Sequence, residues 1–127
     1  MGNFNVLLVE DTLPLAEMVM ETLRYIPELE THHIADGNDA VDYLDNNQPD
    51  LVLLDLNLPG RSGWKVMEFI NNKYNRGTVK VIVMTAQSDG ANKLVGKLQD
   101  IERYLVKPVL PRQMISTIRE VLNIQSA

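Results

Sequence analysis

Three acidic residues follow apolar segments in the first half of the chain. Glu10 and Asp11 come directly after residues 4–9, and Asp55 comes directly after the unbroken apolar run of residues 51–54. Carboxylates that lie close together repel one another, and burial increases that cost unless a cation compensates. Mg²⁺ is a suitable cation, because it binds carboxylate, water and phosphate oxygens. These three residues therefore form a candidate metal site if the fold brings them together.

A hydroxyl and an ammonium group follow two later apolar runs. Thr85 comes after residues 79–84, and Lys107 comes after residues 102–106 and directly before Pro108. The proline favours an extended conformation of the lysine and ends the strand. A lysine beside carboxylates offers a positive charge to phosphate oxygens, and a threonine hydroxyl offers a hydrogen-bond donor. With a carboxylate as nucleophile, this set of groups suits phosphoryl transfer and an aspartyl-phosphate product.

Each of these groups also has an ordinary structural explanation. The acidic pair could stabilise the N-terminus of a following helix through the helix dipole, and Asp55 could cap a loop. Thr85 could be an ordinary strand residue, and Lys107 could be a surface lysine. The chemical interpretation therefore depends on whether the fold gathers them in one place.

The predicted secondary structure gathers them at one edge of a sheet. Short apolar runs predict strands, and unbroken runs are typical of parallel strands that are buried on both faces. The predicted strands are residues 4–9, 31–35, 51–54, 79–84 and 102–106. Helical spacing of apolar residues follows each of them, within residues 13–23, 40–44, 66–70, 92–99 and 114–122. This order predicts an α/β fold with a parallel sheet and helices on both faces, whose ligands bind at the carboxyl ends of the strands.

The limits of the elements are marked by individual residues. Ser62 is a candidate N-cap for the third helix, and Pro111 suits the first turn of the last helix. We expect a single domain over residues 1–127, in which residues 4–123 are structured and residues 124–127 form a tail.

The composition excludes several kinds of site. The chain has no cysteine, so it has no disulfide, no thiolate metal site and no cysteine nucleophile, and this fits a cytoplasmic location. His32 and His33 lie in the second predicted strand and are interpreted as structural or surface residues, which disfavours zinc. No apolar stretch approaches the roughly 18–20 residues of a membrane-spanning helix, so we expect no membrane association.

The charge is distributed unevenly along the chain. Residues 1–55 carry a net charge of −11 and residues 56–127 carry +6, which together give the overall −5. The asymmetry could reflect solvated helix faces that differ in charge, or an acidic pocket together with an oppositely charged partner surface. The overall acidic sign argues against direct nucleic-acid binding.

The sequence closely resembles the receiver domain of bacterial response regulators, which belong to two-component signalling systems. The resemblance covers nearly the whole chain, and it is carried by Glu10-Asp11, Asp55, Leu58-Pro59-Gly60, Gly63, Thr85-Ala86, Tyr104 and Lys107-Pro108. It implies a flavodoxin-like, doubly wound (βα)5 fold with strand order 2-1-3-4-5. It also implies that Asp55 takes a phosphoryl group from a partner sensor histidine kinase or histidine phosphotransfer protein.

The resemblance also implies a ligand set. Mg²⁺, or Mn²⁺, would be held by Asp11, Asp55 and the backbone carbonyl of Asn57, with Glu10 acting directly or through water. Lys107 would contact the phosphoryl oxygens. Such a domain would be a signalling protein rather than an enzyme, catalysing only its own phosphorylation and dephosphorylation.

A conformational switch is implied as well. Thr85 would reach toward the phosphoryl group, and Tyr104 would turn inward, which would change the face formed by the fourth helix, the fifth strand and the fifth helix. Two departures from the usual family pattern stand out. The acidic pair is Glu-Asp rather than Asp-Asp, and Asp100-Ile101 replaces a Gly-Ala pair before Tyr104.

Several alternatives remain open at this stage. The chain could act alone through protein contacts, or it could be the receiver portion of a larger regulator with a fused output domain, and the phosphorylated form could dimerise. An aspartyl-phosphate hydrolase is disfavoured, because position 57 is Asn where such enzymes typically have a second acid. A receiver-like protein that is not phosphorylated is disfavoured by the intact set of acidic residues, Thr85 and Lys107.

Overall fold

A computed structural model describes residues 3–56, 58, 60, 62–75, 77–85 and 101–125 of the chain. Within these residues lie five strands and four helices. They are β1 (Phe4–Val9), α1 (Leu13–Leu23), β2 (Leu29–Ile34), α2 (Gly37–Asn46), β3 (Leu51–Asp55), α3 (Gly63–Lys73), β4 (Lys80–Thr85), β5 (Arg103–Val106) and a C-terminal helix (Pro111–Leu122). The helix expected within residues 92–99 lies outside the described part of the chain.

The five strands form one parallel sheet in the order β2-β1-β3-β4-β5. One face packs against α1 and the C-terminal helix, and the other packs against α2 and α3. The predicted α/β fold and its strand order are thus confirmed. None of the helices in the described residues is long and apolar enough to cross a membrane.

The unbroken apolar runs are explained by the two covered faces of the sheet. All five residues of β3 are buried, and so are the last four residues of β1. Each large apolar side chain that is fully buried there contributes roughly 1.5–3 kcal/mol relative to exposure. The position of the carboxylates at the ends of these strands is therefore set by a rigid, well-packed framework.

The edge strand β2 differs from its predicted limits. It spans Leu29–Ile34 rather than residues 31–35, and its side chains are only partly buried or exposed. Pairing with β1 determines where it begins, because Leu29 lies opposite Phe4 and Ile34 lies opposite Val9. Apolar patterning is weak on an edge strand, so it marks the ends poorly.

The predicted tail is wrong for Ile124, which is buried and packs in the core between the sheet and α1. The C-terminal helix ends at Leu122, and its C-cap residue Asn123 has a φ of 57°, in the left-handed region. This turn lets the Ile124 N–H donate to the Arg119 carbonyl oxygen at 2.8 Å and returns the chain to the core. Helix starts are as predicted: Ser62 precedes α3 and accepts from Lys65 N–H, and Pro111 opens the C-terminal helix.

Gly63 allows the first turn of α3 to contact the end of β3. Its N–H donates to the Leu56 carbonyl oxygen at 3.0 Å. A Cβ atom added at Gly63 would lie 2.5 Å from the Asp55 carbonyl oxygen and 2.5 Å from the Leu56 Cα. Both are backbone atoms that cannot rotate away, so a side chain here would push α3 away from Asp55.

The substitution Gly63→Ala is expected to lower the free energy of unfolding by about 2–3 kcal/mol, because it forces backbone apart in a packed region. Gly77→Ala is the matched control: Gly77 has a φ of 81° but open space around an added Cβ. Gly77→Ala should lower the free energy of unfolding by only about 1 kcal/mol, because alanine is strained in a left-handed backbone conformation. Urea unfolding measures both, and an equal or smaller loss at Gly63 would contradict the close-contact explanation.

Candidate functional site

The sheet register brings the first and third strands' carboxylates side by side. Val9 of β1 pairs with Leu54 of β3, so the next residues, Glu10 and Asp55, are neighbours at the carboxyl ends of adjacent parallel strands. Adjacent strands lie about 4.8 Å apart, which places the two acidic side chains within direct reach. Glu10 is 0% exposed and Asp55 is 3% exposed. The predicted convergence of these two residues is therefore present in the structure.

The alternation of side chains along a strand divides the site residues between the two faces of the sheet. Glu10 and Asp55 continue the face of Leu8 and Leu53, which packs against α1 and the C-terminal helix. Lys107 follows Leu105 on that same face. The charged groups therefore share one side of the sheet edge.

Lys107 lies between the two buried carboxylates. Its Nζ atom is 3.1 Å from Asp55 Oδ2 and 3.4 Å from Glu10 Oε1. The main-chain N–H of Lys107 donates to the Thr85 carbonyl oxygen at 2.9 Å, which extends the pairing of β4 with β5 by one residue. The main chain thus holds the lysine at the position where its charge offsets two acidic groups.

The two carboxylate oxygens of Glu10 differ in their hydrogen bonding. Its Oε2 atom accepts a hydrogen bond from Thr12 N–H at 3.0 Å. Its Oε1 atom is buried and accepts no hydrogen bond from the described residues, and its contact with Lys107 Nζ is an ion pair at 3.4 Å. The pKa of Glu10 is raised, mainly because the side chain is buried and also because the charge of Asp55 is close. The hydrogen bond from Thr12 and the charge of Lys107 lower the pKa but do not offset this increase.

The pKa of Lys107 is also raised, although burial alone would lower it. The hydrogen bond to Asp55 and the charge of Asp55, followed by the charge of Glu10, more than offset the desolvation. Lys107 consequently stays protonated throughout the physiological range and provides a permanent positive charge at the site.

A third carboxylate completes the cluster. Asp11 is exposed, yet ligand oxygens of Glu10, Asp11 and Asp55 all lie within 4.8 Å of one another. Three carboxylates with one lysine leave excess negative charge, and no group in the described part of the chain donates a hydrogen bond to the buried Glu10 Oε1 atom. An all-oxygen set of this kind suits a hard divalent cation such as Mg²⁺. The expected contribution of the Asn57 carbonyl lies outside the described residues.

Thr85 and Tyr104 lie on the other face of the sheet. Thr85 lies two residues after Val83, so it continues the same face of β4. Tyr104 pairs with Val83 in the register of β4 with β5, and this face packs against α2 and α3. Thr85 is buried, whereas Tyr104 is half-buried, and burial raises its pKa. The predicted switch pair therefore continues the opposite face of the sheet from Glu10, Asp55 and Lys107, near the same strand ends.

The loop after β3 depends on Gly60. Its φ is 77°, and a Cβ atom there would lie 2.6 Å from Asp36 Oδ2 and 3.0 Å from Asn38 Nδ2. Asp36 also caps α2 by accepting from the N–H groups of Asn38 and Asp39. Gly60 thus lets the loop beside Asp55 pack against the start of α2. Its neighbours at positions 59 and 61 lie outside the described residues.

The spacing of residues in the sequence did not predict the contact between His33 and Glu10. The Nε2 atom of His33 lies 2.8 Å from the Glu10 carbonyl oxygen, across two strands. His32 points elsewhere and stacks on Tyr43, with ring centroids 4.7 Å apart, in keeping with its interpretation as a structural or surface residue. Only the pairing of β1 with β2, in which His33 lies opposite Leu8, brings His33 to the site.

Comparisons with known proteins agree on one family. Residues 6–119 match the response regulator receiver domain. A signal receiver domain of a LuxO repressor protein from Vibrio parahaemolyticus is 29% identical, with a TM-score of 0.86, covering 95% of this chain and 91% of the other. A response regulator from Chloroflexus aurantiacus is 27% identical, with a TM-score of 0.83 and coverage of 94% and 98%.

A third solved structure is the receiver domain of a sensor histidine kinase from Pseudomonas aeruginosa. It is 24% identical, has a TM-score of 0.84, and covers 97% of this chain and 99% of the other. That protein has a magnesium ion coordinated in its active-site cleft. At this identity the likeness supports the fold alone.

The substitution Glu10→Gln is expected to stabilise the metal-free protein by about 1 kcal/mol near neutral pH. Because the pKa of Glu10 is raised, the folded chain holds this proton more tightly than the unfolded chain, so stability falls as the pH rises above 4.5. The advantage of glutamine should therefore shrink as the pH is lowered toward that value. Urea unfolding in EDTA at several pH values measures the difference.

The control for this prediction is Asp11→Asn, whose exposed carboxylate should have little effect on stability. A Glu10→Gln variant that is less stable than the wild type at neutral pH would contradict the prediction. It would show that the ion pair with Lys107 outweighs the desolvation of Glu10.

Proposed function

Because the chain belongs to the response regulator receiver domain family, a class of signalling domains, we propose that Asp55 accepts a phosphoryl group. The donor is a phosphohistidine on a partner sensor histidine kinase or histidine phosphotransfer protein. The observation that supports this most directly is the contact of Lys107 Nζ with Asp55, at 3.1 Å, within a cluster of three carboxylates. That arrangement provides a nucleophile and opposing charge in one place.

In the proposed transfer, a carboxylate oxygen of Asp55 bonds to phosphorus as the phosphorus–nitrogen bond of the donor breaks. The electron pair of the broken bond remains on the imidazole nitrogen, which takes up a proton. The product is an aspartyl-phosphate, a mixed anhydride with the carboxyl group of Asp55. The rigid end of β3 orients the nucleophile, so little of the reaction's cost goes into positioning it.

Lys107 has a distinct role in this reaction. Its ammonium group, already paired with Asp55 Oδ2, is placed to contact an oxygen of the incoming phosphoryl group. Mg²⁺, or Mn²⁺ with the same oxygen donors, would supply additional positive charge to the phosphoryl oxygens, held by Glu10, Asp11, Asp55 and the main-chain carbonyl of Asn57. The buried Oε1 atom of Glu10, to which none of the residues described in the structure donates a hydrogen bond, supports this assignment.

We propose that Thr85 and Tyr104 report the phosphorylated state. The main chain of Thr85 is bonded to Lys107 N–H, so a shift of the lysine toward the phosphoryl group would act directly on β4. Tyr104 is half-buried on the neighbouring strand, and a change in its exposure would alter that face. The output face comprises the segment between β4 and β5, β5 itself and the C-terminal helix.

We also propose that two exposed leucines belong to the surface that contacts the phosphoryl donor. Leu13 begins α1 directly after the acidic pair, and Leu110 precedes the C-terminal helix three residues after Lys107. They are 60% and 66% exposed, and their helices pack on the same face of the sheet. Apolar contacts here would hold the donor protein beside Asp55.

We further propose a cytoplasmic location and an output through protein contacts or a fused domain, without direct nucleic-acid binding.

The substitution Asp55→Asn is expected to abolish phosphorylation by acetyl phosphate in the presence of Mg²⁺, because an amide oxygen is a poor nucleophile. Intact-mass spectrometry should show one added phosphoryl group on the wild type and none on the variant. Asp42→Asn, at an exposed position of α2, is the matched control and should be labelled like the wild type. Equal labelling of Asp55→Asn would disprove the acceptor assignment.

The substitution Lys107→Met should slow this phosphorylation by roughly tenfold or more, because it removes a charge that faces the transferring group. The affinity for Mg²⁺ should be maintained or increased, because one cation less competes for the carboxylates. Lys65→Met, at an exposed position of α3, is the control. Phosphorylation kinetics and Mg²⁺ titration together test the assignment, and an unchanged rate in Lys107→Met would contradict it.

A further inference from the structure

A side chain from the edge strand holds the main chain at the end of β1. His33 is half-buried on β2, opposite Leu8, and its Nε2 atom lies 2.8 Å from the Glu10 carbonyl oxygen. A carbonyl oxygen only accepts hydrogen bonds, so Nε2 carries the proton and donates it. The two residues are 23 positions apart in the sequence, so this contact is not imposed by local chain geometry.

Within the described residues, three hydrogen bonds hold Glu10, and each acts on a different group of the residue. Its N–H donates to the Ile34 carbonyl oxygen at 3.1 Å, which continues the sheet. Its Oε2 atom accepts from Thr12 N–H at 3.0 Å, which closes a local turn. Of these three, the bond from His33 acts on the carbonyl group that links Glu10 to Asp11.

The orientation of that carbonyl group determines where Asp11 lies. A peptide unit is planar, so fixing its oxygen also fixes the direction in which the chain continues. Asp11 is exposed, and packing therefore does little to hold it. Its carboxylate nevertheless lies within 4.8 Å of those of Glu10 and Asp55.

We propose that His33 is a positioning residue for the metal site: its Nε2–H orients the peptide between Glu10 and Asp11 so that the Asp11 carboxylate faces Asp55. This inference rests on the proposed Mg²⁺ site. A purely structural role would affect the stability of the metal-free protein alone, whereas a positioning role affects the affinity for the ion. The two roles are therefore separable by measurement.

Space beside His33 makes substitutions informative. A cavity of about 360 Å³ lies between its ring and α1 and is lined by Leu13, Ala16 and Met20, among others. Phenylalanine can occupy the same space as the imidazole without donating a hydrogen bond. Glutamine can donate from a similar distance along the side chain. His32, on the opposite side of the strand and stacked on Tyr43, provides a neighbouring control.

The test compares the wild type with His33→Phe, His33→Gln and His32→Phe. Titration calorimetry measures Mg²⁺ binding, and urea unfolding in EDTA measures the stability of the metal-free protein. His33→Phe should weaken Mg²⁺ binding about 3- to 10-fold, the loss expected for one hydrogen bond. His33→Gln and His32→Phe should remain within roughly twofold of the wild type.

Each outcome decides between the explanations. Unchanged Mg²⁺ affinity in His33→Phe would overturn the positioning role, whatever that variant's stability. Loss of affinity in both His33→Phe and His33→Gln would also overturn it, because the hydrogen bond would then not be the cause. A wild type that binds no Mg²⁺ would overturn the proposed metal site and this inference together, whereas wild-type binding with an unaffected His33→Phe would overturn this inference alone.

Discussion

The pairing of two buried carboxylates on adjacent strands is the interaction on which the site depends. Glu10 and Asp55 are placed side by side by the register of β1 with β3, which apolar packing on both faces of the sheet enforces. Their mutual repulsion would be costly in a buried environment without compensation. Lys107 offsets part of that repulsion, and the remaining negative charge would favour the binding of a further positive charge, such as the proposed ion. The same packing that forms the core thus concentrates the acidic groups at its edge.

The sheet also separates two tasks. The charged groups that would carry out phosphoryl transfer lie on the face that packs against α1 and the C-terminal helix, whereas Thr85 and Tyr104 lie on the face of α2 and α3. At the strand ends the main-chain N–H of Lys107 donates to the Thr85 carbonyl oxygen, which joins the two sets. A movement of Lys107 that follows a change in charge on one face would therefore reach Thr85 on the other face through this hydrogen bond. Side-chain alternation along the strands is sufficient to produce this division.

Much of the fold and of the site could be predicted from the sequence, because the strongest signals coincide with the functional positions. Unbroken apolar runs predicted the central strands, and their parallel arrangement predicted that Glu10, Asp55 and Lys107 would converge. The limits of β2 and the burial of Ile124 were not predictable, because pairing with β1 and the left-handed turn at Asn123 determine them. His33 was missed for a similar reason: its contact with Glu10 depends on the register between two strands, which residue spacing does not encode.

The unequal burial of the three carboxylates has a kinetic consequence. Glu10 and Asp55 are buried, but Asp11 is exposed, so the cluster is open to water on one side. An ion bound there could enter and leave without any opening of the fold. Its residence time would then be governed by how fast it exchanges water, and Mg²⁺ gives up water reluctantly. Ion turnover at this site would be a property of the ion's hydration shell more than of the protein's motion.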